Sequence, residues 1–286
     1  MPSLIDLRRR IRSVKNTQQI TKAMKMVSAA KLRRAQEQVL ASRPYASLLS
    51  DVLNSVLSSP GGKEGFDHPL LAVRRPKKIL LLLLSGDKGL CGGFNTNILK
   101  EARLFLEKHK DVEVELELIG KKGRDFYARR DYPISGEWVN VFSKVEHSTA
   151  SDIATKVSQR FADEEIDAVY LLYSKFVSAM TQTPTVVPLL PFSADESSEE
   201  TSEFIYGQTP EKIFASTLPR YVDIQVYQAM LESAASEHSA RMAAMEAATR
   251  NAGEMIDTLT LKLNRARQAS ITTEIIEIVS GAAALE

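Results

Sequence analysis

Residues 3–58 read as helix from their pattern alone. There is no glycine before Gly61, and Ala, Leu, Gln, Lys and Arg dominate. The apolar residues Ile5, Ile11, Val14, Ile20, Met24 and Val27 recur at a loose spacing of three to four. The stripe is thin, with Thr21, Ser28 and Ala35 among its neighbours. Ser3 is the expected N-cap, and Pro44 is expected to kink the helix or make it restart. At 1.5 Å per residue such a helix reaches ~80 Å. No single core is that wide, so the helix must protrude or pair with another.

After a punctuated linker, residues 59–76, the pattern changes. Ile79 to Leu84 is a short continuous apolar run of the kind a buried parallel strand carries. A glycine-rich turn from Ser85 to Asn95 follows. Residues 97–110 then read as helix, 112–119 as strand, 120–130 as turn and helix, 151–165 as helix, and 168–173 and 185–190 as strands. The alternation of strand and helix predicts a small parallel α/β unit over 77–192. Glu113, Glu115 and Glu117 alternate with apolar residues in the second strand, which predicts a solvated face.

An acidic connection, 193–210, leads to a second helical stretch, 211–286. Pro219 allows a break, and no proline follows Tyr221. Alanine is abundant, and a heptad spacing followed from Arg241 runs through Met245, Ala248, Ala252, Met255, Leu259, Lys262, Ala266 and Ala269. Small seam residues let helices approach closely. Neither long helix has enough apolar surface to stand alone. The economical fold pairs the helix of residues 1–58 antiparallel with that of 211–286 and inserts the α/β domain between them in sequence.

Composition narrows the function. The chain has 286 residues, a net charge of +1 and 44% hydrophobic residues. Its longest apolar run, Ile79 to Leu84, is far short of the ~18 residues of a membrane span. Cys91 is the single cysteine, so no internal disulfide forms and a reducing compartment is expected. The charge is sorted along the chain. Residues 1–44 hold eleven Lys and Arg against two acids, a net of +9, which leaves −8 for the rest. A targeting presequence is Arg-rich and acid-poor too, but here the basic pattern runs on to Arg43 without a change of composition.

The motifs argue against an enzyme. Gly86, Gly89, Gly92 and Gly93 do not match G-x-G-x-x-G, and Lys88 precedes the glycines where a phosphate loop has its lysine after them. A tight turn that delivers a strand into a helix explains them. Cys91 has no nearby His, Asp or second Cys in sequence to activate it. His68, His109, His147 and His238 are scattered and read as surface residues, so no metal site is expected. Two other classes stay open on the residues. One is a basic-helix nucleic-acid binder, which the lack of interleaved aromatics disfavours. The other is a dinucleotide-dependent enzyme on the α/β unit.

Three stretches carry a resemblance. They are Ile20 to Gln36, with Ile20-Thr21-Lys22-Ala23-Met24-Lys25-Met26 at its head, Ser85 to Asn95, and the C-terminal helix with Arg241-Met242 and Asn264 to Ile275. In content and order they closely resemble the γ subunit family of the F-type ATP synthase, the central rotor shaft. The family has Ala where Ser28 stands, and commonly Ser-Asp-Lys where Ser85-Gly86-Asp87-Lys88 stands.

The resemblance implies a fold, α/β with long α-helices: an antiparallel coiled coil of the N- and C-terminal helices plus an inserted Rossmann-like α/β domain. It implies a non-catalytic subunit with no cofactor, coupling proton-driven rotation of the c-ring to ATP synthesis or hydrolysis. The implied partners are the alpha and beta subunits of the catalytic hexamer, the epsilon subunit and the membrane c-ring, with no nucleic acid and no transmembrane segment of its own. The implied place is the cytoplasmic side of a bacterial cell membrane, as a peripheral protein. By similarity the hexamer contacts fall at Met24, Lys25, Arg241, Arg265, Gln268, Thr272 and Glu274, and contacts with the c-ring or epsilon at Tyr206 and Gly207. The largely uncharged final turns, Ile275 to Leu285, are expected to sit in an apolar sleeve supplied by partners.

Overall fold

The computed structural model describes residues 3–58, 68–178, 180–192 and 209–283. The chain divides into two compact units, Ala29–Arg241 and the pair of segments Met1–Ser28 with Met242–Glu286. Two long helices contribute to both: α1 (Leu4–Ser58) and α5 (Pro210–Ala283), of 55 and 74 residues. Neither restarts at its proline. α1 continues through Pro44 and α5 through Pro219, each at the cost of one N–H donor in the ladder.

In the unit Ala29–Arg241 a five-stranded sheet has the order β3-β2-β1-β4-β5. The strands are β1 (Lys78–Leu84), β2 (Glu113–Ile119), β3 (Ile134–Trp138), β4 (Ala168–Phe176) and β5 (Gln182–Leu190). The helices between them are α2 (Phe94–Lys108), α3 (Lys121–Tyr127) and α4 (His147–Ala162). The sequence pattern predicts neither β3 nor the direction of the last strand. β1 to β4 are mutually parallel, but β5 runs antiparallel to β4. The five residues 177–181 are too few for a crossover helix, and a short link allows only a hairpin.

The unbroken apolar run of β1 follows from burial on both faces. Ile79, Leu81 and Leu83 pack with Ile98, Ala102 and Phe105 of α2. Leu80, Leu82 and Leu84 join Ile153, Val157 and Phe161 of α4, Leu53 and Val56 of α1, and Phe214, Val222 and Met230 of α5. Each outer helix thus covers one side of the period-two alternation.

Glu113 is exposed as expected, but Glu115 and Glu117 overturn the expectation of a solvated face. Glu117 is fully buried and accepts bonds from Lys156 Nζ of α4 (2.9 and 3.0 Å) and from Trp138 Nε1 of β3 (2.7 Å). Glu115 lies between Lys78 (2.6 Å) and Arg160 (2.8 Å). Burial alone would raise the Glu115 carboxyl, but the bonds from Lys78 and Arg160 hold it below its usual range. A strand that alternates charge is half wet when nothing covers its charged face. Here α4 brings its own cations to that face.

In the other unit the start of α1 pairs antiparallel with α5. Lys25 meets Glu246 (2.8 Å), Thr21 Oγ1 accepts from Thr249 Oγ1 (2.8 Å), and Gln18 Nε2 donates to the Thr249 carbonyl (3.4 Å). The seam on α1 is Leu7, Thr21 and Ser28, all buried, with Ile11, Val14 and Gln18 half-buried. Ile5, Ile20 and Val27 of the expected apolar stripe point outward, 57–67% exposed. On α5 the heptad also needs correction. Met245 and Ala252 are buried and Leu259 and Ala266 half-buried as expected, but Ile256 and Leu263 join them in place of Met255 and Lys262, which are exposed, as is Ala269. Close approach selects small residues at Thr21, Ser28 and Ala252, so on α1 part of the apolar stripe stays outside the seam.

Candidate functional site

The turn from Ser85 to Asn95 is held from several sides. Asp87 accepts three backbone N–H bonds, from Lys121 (3.0 Å), Asn140 (2.8 Å) and Phe142 (3.0 Å). Ser85 Oγ accepts from the Gly123 N–H (2.7 Å), and the Gly86 N–H donates to Asn95 Oδ1 (2.9 Å). The turn is therefore tied to the starts of α2 and α3 and to the loop after β3. Gly120 sits beside it at φ +103, where an added Cβ would lie 2.0 Å from the Ser85 carbonyl oxygen, so only glycine fits. Cys91 is buried, and Asn95 Nδ2 donates to its Sγ (3.1 Å). Burial pushes the Cys91 thiol up, with Arg241 only partly opposing, so it stays protonated and unreactive at neutral pH.

The turn lies at the carboxyl ends of β1 and β4, where the strand order reverses. Open α/β sheets take ligands in that crevice. Here α5 crosses the ends of these strands and lies along the crevice. Ser236 Oγ donates to the Ser174 carbonyl of β4 (2.9 Å), and Glu232 accepts the Phe176 N–H (3.4 Å) and pairs with Arg43 of α1 (3.7 Å). Gln182 Nε2 of β5 donates to Ser239 Oγ (3.2 Å). Arg241 donates through Nε and Nη2 to the Gly89 carbonyl (3.3 Å each) and through Nη2 to Glu237. A Cβ on Gly86 would stand 3.2 Å from the Glu237 carboxylate.

His238 also departs from the surface reading. It is half-buried, with Nδ1 3.3 Å from Arg241 Nη1. Burial first, and then the charges of Arg241, Lys31 and Lys88, lower its pKa to about 4, so it is neutral at pH 7. His68 and His109 are half-buried too, and His147 is exposed.

The other residues expected at a site fall in the coiled unit. Met24 and Lys25 are half-buried on α1, and Lys25 shares a polar groove with Gln18, Lys22, Glu246 and Arg250. Arg265, Gln268, Thr272 and Glu274 are exposed on α5; Thr272 Oγ1 donates to the Gln268 carbonyl (2.9 Å) and Glu274 accepts from Ser270 (3.1 Å). Beyond them Ile275, Ile276, Ile278 and Val279 are 55–72% exposed. Arg8, Arg9, Arg10, Arg12, Lys15 and Lys22 are exposed and make no ion pair among the described residues. Arg241 belongs to the other unit and is 8% exposed, its guanidinium engaged within the chain. Tyr206 and Gly207 lie outside the described residues. Glu237, Ser236 and Ser174 carry no sequence signal as a site; only the crossing of α5 over the sheet brings them to the turn.

A model of the ATP synthase family matches residues 3–285. The ATP synthase gamma chain of Solibacter usitatus is 52% identical over 287 residues, spanning all of both chains. The chain belongs to the ATP synthase gamma chain family. The gamma chain of Pelotomaculum thermopropionicum is 50% identical, again over both full lengths. Among solved structures, a chain of the Tetrahymena thermophila mitochondrial ATP synthase central stalk and c-ring aligns with a TM-score of 0.65 and 28% identity, covering 80% of this chain and 99% of that one. A chain of the Euglena gracilis mitochondrial ATP synthase aligns with a TM-score of 0.68 over 99% of this chain, and at 19% identity it shares the fold. Membership makes the chain part of a membrane-bound complex and a non-catalytic gamma chain. Among the described residues no helix is long and apolar enough to cross a membrane.

Proposed function

We propose that this chain is the central rotor shaft of an F-type ATP synthase, turning with the proton-driven c-ring inside the alpha and beta hexamer. The observation that carries the reading is the antiparallel pairing of α1 and α5 through a seam of Thr21, Ser28, Met245 and Ala252. A torque shaft needs stiffness, and two helices paired along their length supply it. It also needs a surface that slides. The exposed end of α5, with its run of Ile and Val, fits an apolar sleeve that offers no charge partner at any one angle.

In this reading residues 1–58 and 211–286 form the coil, and 77–192 form the body that meets epsilon and the c-ring, with 59–76 and 193–210 as connections. Met24, Lys25, Arg265, Gln268, Thr272 and Glu274 contact the hexamer. The exposure of Arg265, Gln268, Thr272 and Glu274 on α5, and the half-exposure of Met24 and Lys25 on α1, support the assignment. The exposed cations of residues 8–22 face acidic loops of the hexamer, an attraction that does not demand one register. Tyr206 and Gly207 serve the c-ring or epsilon. The complex sits on the cytoplasmic side of the cell membrane, with this subunit peripheral to the bilayer.

Co-expression with the alpha and beta subunits of the same source tests the reading. A hexamer that captures the chain, and in which a bead fixed to the chain turns during ATP hydrolysis, is the expected result. Capture without rotation, or no capture, overturns it.

A further inference from the structure

The contact between α5 and the glycine-rich turn is built unlike ordinary helix-on-sheet packing. The crevice at the carboxyl ends of β1 and β4 receives a helix of the same chain, and the closest approach is polar. Arg241 and Glu237 are both buried, at 8% and 3% exposure. The guanidinium holds two acceptors at once, the Glu237 carboxylate one turn back on α5 and the Gly89 carbonyl on the turn. A Cβ at Gly86 would stand 3.0 Å from Asn95 Oδ1 and 3.2 Å from the Glu237 carboxylate, tighter than an ordinary contact. The turn, in its own right, is bolted to the sheet through Asp87 and its three backbone N–H bonds.

A continuous set of directional bonds therefore runs from α5 to the body of the sheet. It passes from Arg241 to Gly89, along the turn to Asp87, and on to Lys121 at the head of α3 and to Asn140 and Phe142 after β3. Apolar packing elsewhere on α5 resists separation but tolerates small sliding, and its other polar bonds, from Ser236, Glu232 and Ser239, reach β4 and β5 and not the turn. A planar guanidinium fork between two acceptors does not, because both bonds lengthen together. Displacing it would also leave Glu237 buried and unpaired, a costly state.

We propose that Arg241, with Glu237, is a latch that fixes the α/β body to α5 so that the two turn together. The role is a positioning one, and it rests on the shaft reading above. It also gives the glycine-rich turn its purpose: Gly86 lets the turn come close to Glu237, and the Gly89 carbonyl receives Arg241, where a nucleotide-binding sheet admits a phosphate.

The test uses the assembled complex in proton-tight vesicles with two variants, Arg241→Lys and Glu237→Gln. Lysine keeps the charge but has no fork to hold both acceptors, and glutamine keeps the shape but not the charge. Two readouts are taken: amide hydrogen exchange at residues 89–92, and protons pumped per ATP hydrolysed. Both variants are expected to exchange roughly tenfold faster at the turn, the loss of about one charge-assisted hydrogen bond, and to pump fewer protons per ATP while hydrolysis continues. Unchanged exchange overturns the latch. So does faster exchange with wild-type pumping per ATP, which would leave the contact structural only. A fall in hydrolysis with unchanged exchange would assign Arg241 to a partner instead. A wild-type complex that hydrolyses ATP but pumps no protons would sink the shaft reading, and the latch's role with it, whatever the exchange rates.

Discussion

Gly120 and His238 show how single side chains set the limits of the glycine-rich turn. Gly120 has a φ of +103 and its missing Cβ would overlap the Ser85 carbonyl. Gly120→Ala is expected to destabilise the chain by about 3 kcal/mol, the upper range for strain at a forbidden backbone conformation. The midpoint of urea unfolding measures it. His238 is held at about 4 by burial and by Arg241, Lys31 and Lys88. Its folded-state pKa lies below the unfolded value of 6.5, so the unfolded chain takes up the proton first. The stability that neutral His238 supports is present above pH 6.5 and is lost as pH falls towards 4. His238→Gln should flatten the urea midpoint against pH across that window. An unchanged slope would show that other groups carry it.

The long helices raise a different question, because the seam of α1 leaves part of its apolar stripe outside. The seam of α1 puts Thr21 and Ser28 inside and leaves Ile5, Ile20 and Val27 outside. Seam positions of α5 use Ala252 in the same way. A larger residue there forces the helices apart, so Ala252→Leu is expected to cost about 1–3 kcal/mol despite its added apolar area. Thermal unfolding followed by circular dichroism reads the change. The hydrophobic surface left outside is a sign that other chains cover it. Arg265 and Gln268 lie on the exposed length of α5. Arg265→Ala and Gln268→Leu should each lower ATP turnover of the assembled complex while leaving the free chain's unfolding unchanged. Wild-type turnover in the complex would remove that residue from the contact set.

For the chain as a whole, the net charge of +1 conceals a segment of +9, and much of that charge is exposed on α1 and unpaired among the described residues. Long-range attraction of this kind speeds association and weakens with salt. Assembly with the hexamer is expected to slow steeply between low and physiological ionic strength, as stopped-flow mixing would show. An assembly rate independent of salt would mean that the basic segment steers nothing.

Much of the fold is legible in the sequence alone. Continuous apolar runs such as Ile79 to Leu84 announce strands buried on both faces, and long glycine-free stretches announce helices that outreach any core. Those signals are local, set by period and propensity. The resemblance of Ile20 to Gln36, Ser85 to Asn95 and Asn264 to Ile275 likewise lives in contiguous residues. What stayed hidden depends on neighbours distant in sequence. β3 is short and weakly patterned, and it is a strand because β2 offers it an edge. Glu115 and Glu117 look solvated until α4 lays Lys156 and Arg160 over them. The thin stripe of α1 gives no hint that Thr21 and Ser28 are the seam, because that choice belongs to how closely α5 approaches. Nor does any motif join Gly86 and Gly89 to Glu237 and Arg241, some 150 residues apart. Period and composition settle which elements form. Burial, and the partner of each buried charge, arise from the way those elements cross, and no local pattern encodes a crossing.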